Sequence, residues 1–415
     1  MSDLEARGAA EPLPATGGEG GRPSVALVTW NYDTVQGVGR CVVELTRRLA
    51  ARYRLCVLAT QVGTDPPAGV ELIRIPRRVR PRHLEEWEFF FRAGLQLRRR
   101  RFDLVHLHFP AWYPAPLFTS HAVSPAAIRA WARFPREARE PVGWRQRIRF
   151  QVQSPLYSYH LRNPHTRVAT VSERARQDLV EHFGRRPEEI RIIPNGADLE
   201  RFHPSLAGQW RARVRGELGL AEDRFVLLLV GNNLRLKGGR SAFHVLERLP
   251  ESAALVIVGD NSRRSIPELE SVAARLETAG RLFFVGQREE VWRYYGAADA
   301  LLFPSLYESF GLVLLEGMGA GLPAVTARTV ALADELIREG ENGFLVERPW
   351  DVDGMVQRVE RLMRDPELRR RVGRSARATV EPYTWERYAA RTDAIYRELL
   401  PTASPGADAG ATGSF

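Results

Sequence analysis

The sequence predicts an α/β protein made of two successive doubly wound parallel sheets. Three observations lead there. Short apolar runs recur through both halves, and they are continuous rather than alternating, as in strands buried on both faces of a parallel sheet. Helical or irregular segments separate them, which is the alternation of an open α/β sheet. The pattern also restarts in mid-chain, because a strand, a glycine-bearing turn and a helix follow Val25 and do so again after Phe225. A chain of 415 residues has room for two domains, each with its own core.

Composition narrows the class. With 44% hydrophobic and 27% charged residues the chain is an ordinary globular one, and its net charge of +10 gives a surface that attracts phosphates, anionic lipid or nucleic acid. Lysine occurs only at position 237; all other basic residues are arginine. Genomic base composition accounts for that bias better than chemistry does, and it singles out the one lysine that survived. The two cysteines fall in apolar patterns, Cys41 in a helix and Cys56 in a strand. They read as buried thiols of a protein in a reducing compartment, with no disulfide or metal framework. Residues 1–23 have neither a basic start nor an apolar stretch, so they read as a disordered tail rather than a signal peptide, and 401–415 as a second tail. No apolar run is long enough to cross a bilayer.

Order begins with the strand Val25–Thr29, followed by a polar loop carrying Gly37-Val38-Gly39 and a helix over Val42–Leu49. A dinucleotide fingerprint would need a third glycine here and an acidic residue after the next strand (Leu55–Ala59), and both are missing. Small residues at Gly37 and Gly39 would still let a ligand approach the backbone. Further strands are expected at Val70–Ile75, Leu104–Leu107, Pro116–Thr119 and Val168–Val171. His121 lies just past a strand's C-terminal end, where ligands of open sheets collect, with His106 and His108 as weaker candidates for the same cleft. Two segments, Arg77–Arg101 and Ile128–Phe150, interleave arginines with tryptophan and phenylalanine. Either they dock on an anionic membrane or acceptor, or their aromatics face the core. Ser172 is a plausible N-cap for a helix reaching Phe183, and Ile190–Ile193 a strand before the turn at Pro194–Asp198.

The second half opens with the strand Phe225–Val230, then Gly231-Asn232-Asn233 and Arg235-Leu236-Lys237-Gly238-Gly239, then a helix over Ser241–Leu249. A lysine is a compact point charge, suited to a narrow diphosphate pocket where arginine's planar fork needs room. Leu255–Val258 and Leu282–Val285 are further strands. The focal stretch is Phe303–Pro323: a buried strand ends at Pro304-Ser305, Glu308 and Ser309-Phe310-Gly311 form a turn, and a helix runs from Leu312 to the stop at Gly321-Leu322-Pro323. Strand, polar turn and helix start offer N–H groups and a positive dipole end to an anion. Glu316 sits among apolar helix neighbours, so its carboxylate needs a hydrogen-bonding partner, for which vicinal sugar hydroxyls would serve. Taken singly, Glu308 reads as a first-turn charge and Glu316 as a solvated face. Asp351-Val352-Asp353 opens a helix, where aspartates cap, and is not read as a metal site.

The spacing of Glu308 and Glu316, with its FG and AGLP, resembles the E-x7-E motif of retaining GT-B glycosyltransferases of family 4 (glycosyl transferases group 1). "VSERAR…IIPNGADLERF" and "GNNLRLKG" are similar to that family too, and the likeness runs from about Val25 to Leu400. The resemblance implies two facing Rossmann-like domains with a cleft between them. It puts the acceptor-binding domain at 24–204 and the nucleotide-sugar domain at 205–383. A terminal helix, 384–400, crosses back to the first domain. It implies a sugar moved from a nucleotide diphosphate-sugar to a glycan, lipid-linked or small-molecule acceptor, with no cofactor and no metal. Arg235 and Lys237 would neutralise the leaving diphosphate, aided by the N–H groups at Phe310, Gly311 and Leu312. Glu308 would hold the donor sugar, Glu316 the ribose, and His121 would stand between donor and acceptor. Gly37, Gly39 and Asn232 would line the donor site. No residue is assigned as nucleophile. The expected protein is cytoplasmic, serves cell-envelope polysaccharide synthesis and touches the inner membrane face peripherally. The rivals are a sugar-nucleotide epimerase or hydrolase of the same fold, and a non-catalytic basic protein docking on membrane. Nucleic acid is not expected, since no recognition motif is present.

Overall fold

The computed structural model describes residues 21–79, 82–121, 154–259 and 266–400. The segment Ile128–Phe150 and both terminal tails beyond 21 and 400 lie outside the described residues.

The first sheet collects β1 (Ser24–Val28), β3 (Arg54–Ala59), β5 (Glu71–Arg74), β6 (Leu104–Leu107), β7 (Leu117–Ser120), β8 (Arg167–Thr170) and β9 (Ile190–Ile192). Their order is β5-β3-β1-β6-β7-β8-β9, every pair parallel. Two short strands, β2 (Asn31–Tyr32) and β4 (Gln61–Val62), pair with each other beside it. The second sheet holds β10 (Phe225–Gly231), β11 (Ala253–Gly259), β12 (Leu282–Gly286), β13 (Ala300–Phe303), β14 (Ala324–Ala327) and β15 (Phe344–Val346). Their order, β12-β11-β10-β13-β14-β15, is again wholly parallel. The physical reason shows in β10. Val226 and Leu228 enter one core cluster while Leu227 and Leu229 enter the other, so both faces of the strand are buried.

Each sheet winds outward from one strand and then reverses. In the first the reversal lies between β1 and β6, in the second between β10 and β13. Loops leaving the carboxyl ends of such strands diverge and leave a crevice, which is where open α/β sheets bind ligands.

The helices in chain order are α1 (Gly37–Leu49), α2 (Arg82–Arg98), α3 (154–161), α4 (Glu173–Phe183), α5 (Leu206–Glu217), α6 (Gly239–Arg248), α7 (Glu270–Thr278), α8 (Trp292–Ala297), α9 (Leu312–Gly319), α10 (Ala331–Leu336), α11 (Val352–Arg364), α12 (Pro366–Val380) and α13 (Trp385–Leu399). Four of the described helices have a side-chain N-cap: Ser172 accepts from the Ala175 N–H at 3.1 Å, Asp351 from Gly354 at 2.9 Å, Asp365 from Leu368 at 2.9 Å and Thr384 from Arg387 at 3.3 Å. Asp351 is thus a cap.

Three expectations change. Gly37 and Gly39 stand inside the first turn of α1 rather than in a loop. A Cβ at Gly39 would come within 3.0 Å of the Asn31 carbonyl, so the glycine lets the β2 backbone lie on the helix. The aromatics of α2 divide: Phe89 and Phe90 are core, whereas Leu84, Phe91 and Leu95 are exposed, as are Trp112 and Tyr159 nearby. And His106 lies in the core, not the cleft, between the Tyr396 hydroxyl and Thr119, each 2.7 Å away.

After the second sheet the chain returns to the first. Trp385, Tyr388, Ala389, Ile395 and Tyr396 of α13 join the cluster built on Val25, Leu27, Val42 and Leu45. The Ala197 N–H donates to the Tyr383 carbonyl at 2.9 Å where the two crossings meet.

Candidate active site

Lys237 and Glu308 come from the two loops at the second sheet's reversal. Lys237 follows β10 and Glu308 follows β13. The Glu308 backbone is pinned on both sides, its N–H donating to Thr329 and its carbonyl accepting from Ala331, each at 3.1 Å. Its Oε1 pairs with the Lys237 ammonium and lies 3.0 Å from Ser305 Oγ. The ammonium also stands 5.5 Å from the centre of the Phe303 ring. Cation and carboxylate are both accessible from the cleft, with side chains 22% and 18% exposed.

The helix α9 begins directly after this turn. Gly311 is its N-cap with φ 116°, a left-handed conformation that suits glycine. The Leu314 N–H donates to the Gly311 carbonyl at 3.0 Å, so the N–H groups of the turn before it have no intrahelical acceptor. Leu312 packs against clusters of both halves, and a Cβ on Gly37 would lie 3.3 Å from its Cδ1. The N-termini of α1 and α9 therefore face each other across the cleft, two positive dipole ends at one place.

Glu316, one turn into α9, is buried, with 5% of its surface exposed. Arg40 of α1 reaches across from the first half and places Nη1 2.6 Å from Oε1, while the Tyr295 hydroxyl donates to Oε2 at 3.0 Å. Burial opposes the charge on Arg40, but the charge and hydrogen bond of Glu316 outweigh it and leave the pKa raised. Burial and the Glu316 carboxylate hold the Tyr295 hydroxyl protonated, well above its ordinary value.

On the opposite wall, half-buried His121 places Nε2 2.8 Å from Nδ1 of His108. Burial lowers His121 to about 4. Burial, with His106 and His121 beside it, puts His108 well below the usual range. Both rings are neutral near pH 7, so their shared bond has one donor and one acceptor. Three contacts close the cleft around them. Ser309 Oγ donates to the His121 carbonyl, Ser172 Oγ donates to the Ser309 carbonyl at 2.6 Å, and the Tyr307 hydroxyl meets Asp178 at 2.9 Å.

Comparison with known proteins follows the same two halves. Residues 35–201 match the model described as Glycosyltransferase Family 4, and residues 211–379 that described as Glycosyl transferases group 1. A D-inositol 3-phosphate glycosyltransferase of Xylanimonas cellulosilytica is 30% identical over 400 residues, covering 87% of this chain and 91% of that one. The chain belongs to the group 1, family 4 glycosyltransferases. A second protein of the same name, from Streptomyces bingchenggensis, is 33% identical over 245 residues, about half of either chain (56% and 52%). Among solved structures, WaaG, a glycosyltransferase involved in lipopolysaccharide biosynthesis, superposes with TM-score 0.76 at 23% identity, covering 89% of this chain and 99% of that one. The sucrose-phosphate synthase of Thermosynechococcus elongatus gives 0.71 at 22%, covering 91% and 99%. HepE of Anabaena, in complex with UDP and glucose, gives 0.68 at 17%, covering 91% and 100%. The fold is GT-B, and this protein is a glycosyltransferase.

Within the glycosyltransferase the expected residues are brought together unequally. Lys237 and Glu308 pair beside the start of α9, where Gly311 caps the helix and Leu312 meets Gly37, and His121 meets this turn through Ser309, whereas Phe310 and Glu316 are buried. Arg235 is turned to Glu268, 2.9 Å away. Asn232 accepts from the Gln287 side chain at 3.2 Å. Gly39 is buried under the β2 turn. Arg40, Tyr295 and Tyr307 belong to the arrangement without having been expected from sequence, whereas His108, a weaker candidate there, does meet His121. Among the described residues no group of three or more His, Cys, Asp or Glu is placed to hold a metal, and no helix is long and apolar enough to cross a membrane.

Proposed function

We propose that this glycosyltransferase takes its sugar from a nucleotide diphosphate-sugar and transfers it with retention of anomeric configuration, without a divalent metal. The observation that carries the reading is the cluster at the second sheet's reversal, where Lys237 and Glu308 stand beside the α9 N-terminus. Lys237 and the first-turn N–H groups meet the charge that develops on the departing diphosphate, which is where transition-state stabilisation is largest. Those groups supply the positive charge that a bound metal would otherwise bring. Arg235 joins them once it exchanges Glu268 for phosphate. Glu308 orients hydroxyls of the donor sugar, and Glu316 those of the ribose. HepE was solved with UDP and UDP-glucose, which supports this class of donor. Retention rests on the resemblance to family 4, with the leaving phosphate taking the acceptor's proton on the same face.

Thermal-shift titration with UDP, GDP, ADP and dTDP, with and without EDTA, tests the donor. One nucleotide is expected to stabilise the protein equally in both conditions, and binding abolished by EDTA would overturn the metal-free reading. NMR of the first transferred sugar tests stereochemistry, and an inverted anomer would overturn retention. For the acceptor, the exposed Leu84, Phe91, Leu95, Trp112 and Tyr159 with the net charge of +10 favour a lipid-linked molecule met at an anionic membrane surface. Co-sedimentation with phosphatidylglycerol vesicles is then expected to fall as salt rises, because screening weakens each arginine's attraction. Indifference to such vesicles at low salt would leave a soluble acceptor.

A further inference from the structure

Glu316 is served from both sides of the cleft. Arg40 stands on α1, in the half that carries the first sheet, yet its guanidinium ends 2.6 Å from Oε1 of Glu316 on α9. Both side chains are nearly enclosed, 14% and 7% exposed. The guanidinium is backed by the ring of Trp385, 5.7 Å away on α13, which returns from the far end of the chain. The Tyr295 hydroxyl takes the other oxygen at 3.0 Å. A carboxylate offers about four lone-pair sites, two per oxygen. One donor on each oxygen leaves one acceptor position on each, in a plane fixed by the two donors.

We infer that Arg40 and Tyr295 are positioning residues for the donor. They hold the Glu316 carboxylate from both sides and orient its two remaining acceptor positions toward the vicinal hydroxyls of the ribose. This rests on reading Glu316 as the ribose carboxylate. The opposite domain thus completes the ribose contact, so nucleotide affinity depends on the two halves keeping this arrangement. Without Arg40 the buried carboxylate keeps one neutral donor and loses the cation that pairs and orients it.

The test uses the full-length protein and whichever of UDP, GDP or ADP binds, together with the 2′-deoxy form of that nucleotide. Affinity is measured by calorimetry at pH 7 for wild type, Arg40→Met, Arg40→Lys and Tyr295→Phe. Arg40→Met is expected to lose about 30-fold or more. Arg40→Lys, which keeps a cation facing Glu316, is expected to recover most of that loss. Tyr295→Phe raises donor KM several-fold with kcat nearly unchanged, and it covers the case in which Arg40→Met fails to fold. With the 2′-deoxy nucleotide the gap between wild type and variant shrinks. Equal losses for the nucleotide and its 2′-deoxy form, with no recovery in Arg40→Lys, would overturn the inference and leave Arg40 a packing residue. A preference for dTDP, which has no 2′-hydroxyl, would overturn it as well. Failure of wild type to bind any nucleoside diphosphate would remove the donor reading itself.

Discussion

Lys237 is held by Glu308, so an arriving diphosphate competes with a carboxylate for the ammonium. Exchange of that partner would release Glu308 toward the sugar, which couples the two halves of donor recognition. Glu308→Gln is therefore expected to leave affinity for the free nucleoside diphosphate unchanged or a few-fold tighter, while turnover falls by about 100-fold or more. Calorimetry and steady-state rates check this, and a large loss of nucleotide affinity would place Glu308 elsewhere. Lys237→Ala is expected to weaken the nucleotide by about 30-fold or more. Lys237→Arg is not expected to rescue it, since a planar fork does not replace a point charge beside Ser305 and Phe303. Lys237, Glu308 and His121 were legible because each follows the carboxyl end of an apolar strand, and Lys237 also because it is the only lysine. Arg40 was not. Its partner lies 276 positions away, and one arginine carries no contrast in a chain whose cations are otherwise almost all arginine. The histidines make a separate prediction for stability. Burial lowers His160, stacked on Phe118, to about 4. Between its ordinary value of 6.5 and that figure the unfolded chain binds a proton that the native one refuses, so stability present above pH 6.5 is lost as pH falls toward 4. Denaturant titrations at pH 7.5, 6 and 5 are expected to show this decline, and His160→Gln, which removes one such site, a shallower one.

The elements that carry the site were easier to read than their edges. The central strands of the two large sheets announce themselves as apolar runs, because both faces of a parallel sheet are covered, whereas the edge strands β5 and β9 carry exposed charged residues. The two-residue strands β2 and β4 are too short to leave a pattern. Arginine dominates the stretch of α12, yet Leu368, Val372, Ala376 and Val380 recur every four residues on its buried face. The start of α1 misleads for a different reason. Glycines argue against a helix interior, and Gly39 is there because a neighbouring backbone leaves no room for a Cβ. At α9 the glycine is a working part. Gly311→Ala would force an alanine into the left-handed region, at about 1–2 kcal/mol, and press its Cβ to 2.8 Å from Val330 Cγ1. Both effects would shift the turn whose N–H groups are proposed to meet the diphosphate. Lower thermal stability together with weaker nucleotide binding is the expected pair of outcomes. A destabilised variant with wild-type affinity would show that the α9 start does not touch the phosphates.

At the scale of the molecule, the two halves are tied by a helix that belongs in sequence to the second and in packing to the first. Trp385, Tyr388 and Tyr396 are among the largest fully buried side chains, and they fill the core that β1 and α1 alone would leave open. Tyr396 also supplies the partner of His106, and Asp393 accepts from the Tyr53 hydroxyl at 2.7 Å. The same helix backs Arg40, so the support of the first core and the orientation of the cross-cleft arginine share one residue, Trp385. The family resemblance placed this helix on the first domain, but the residues alone could not say which sheet it covers, because partners such as His106 and Tyr53 lie 290 and 340 positions upstream. Trp385→Ala is expected to cost about 3–5 kcal/mol, the range for deleting a buried tryptophan, and to cost it locally. The first half, deprived of its covering residue, will melt below the second, splitting one calorimetric transition into two. Nucleotide held mainly by Lys237 and α9 will raise the melting of the second half alone. A single transition that moves down as a unit would mean that the halves unfold together. In that case α13 is one cover among many rather than the strap that completes the first domain.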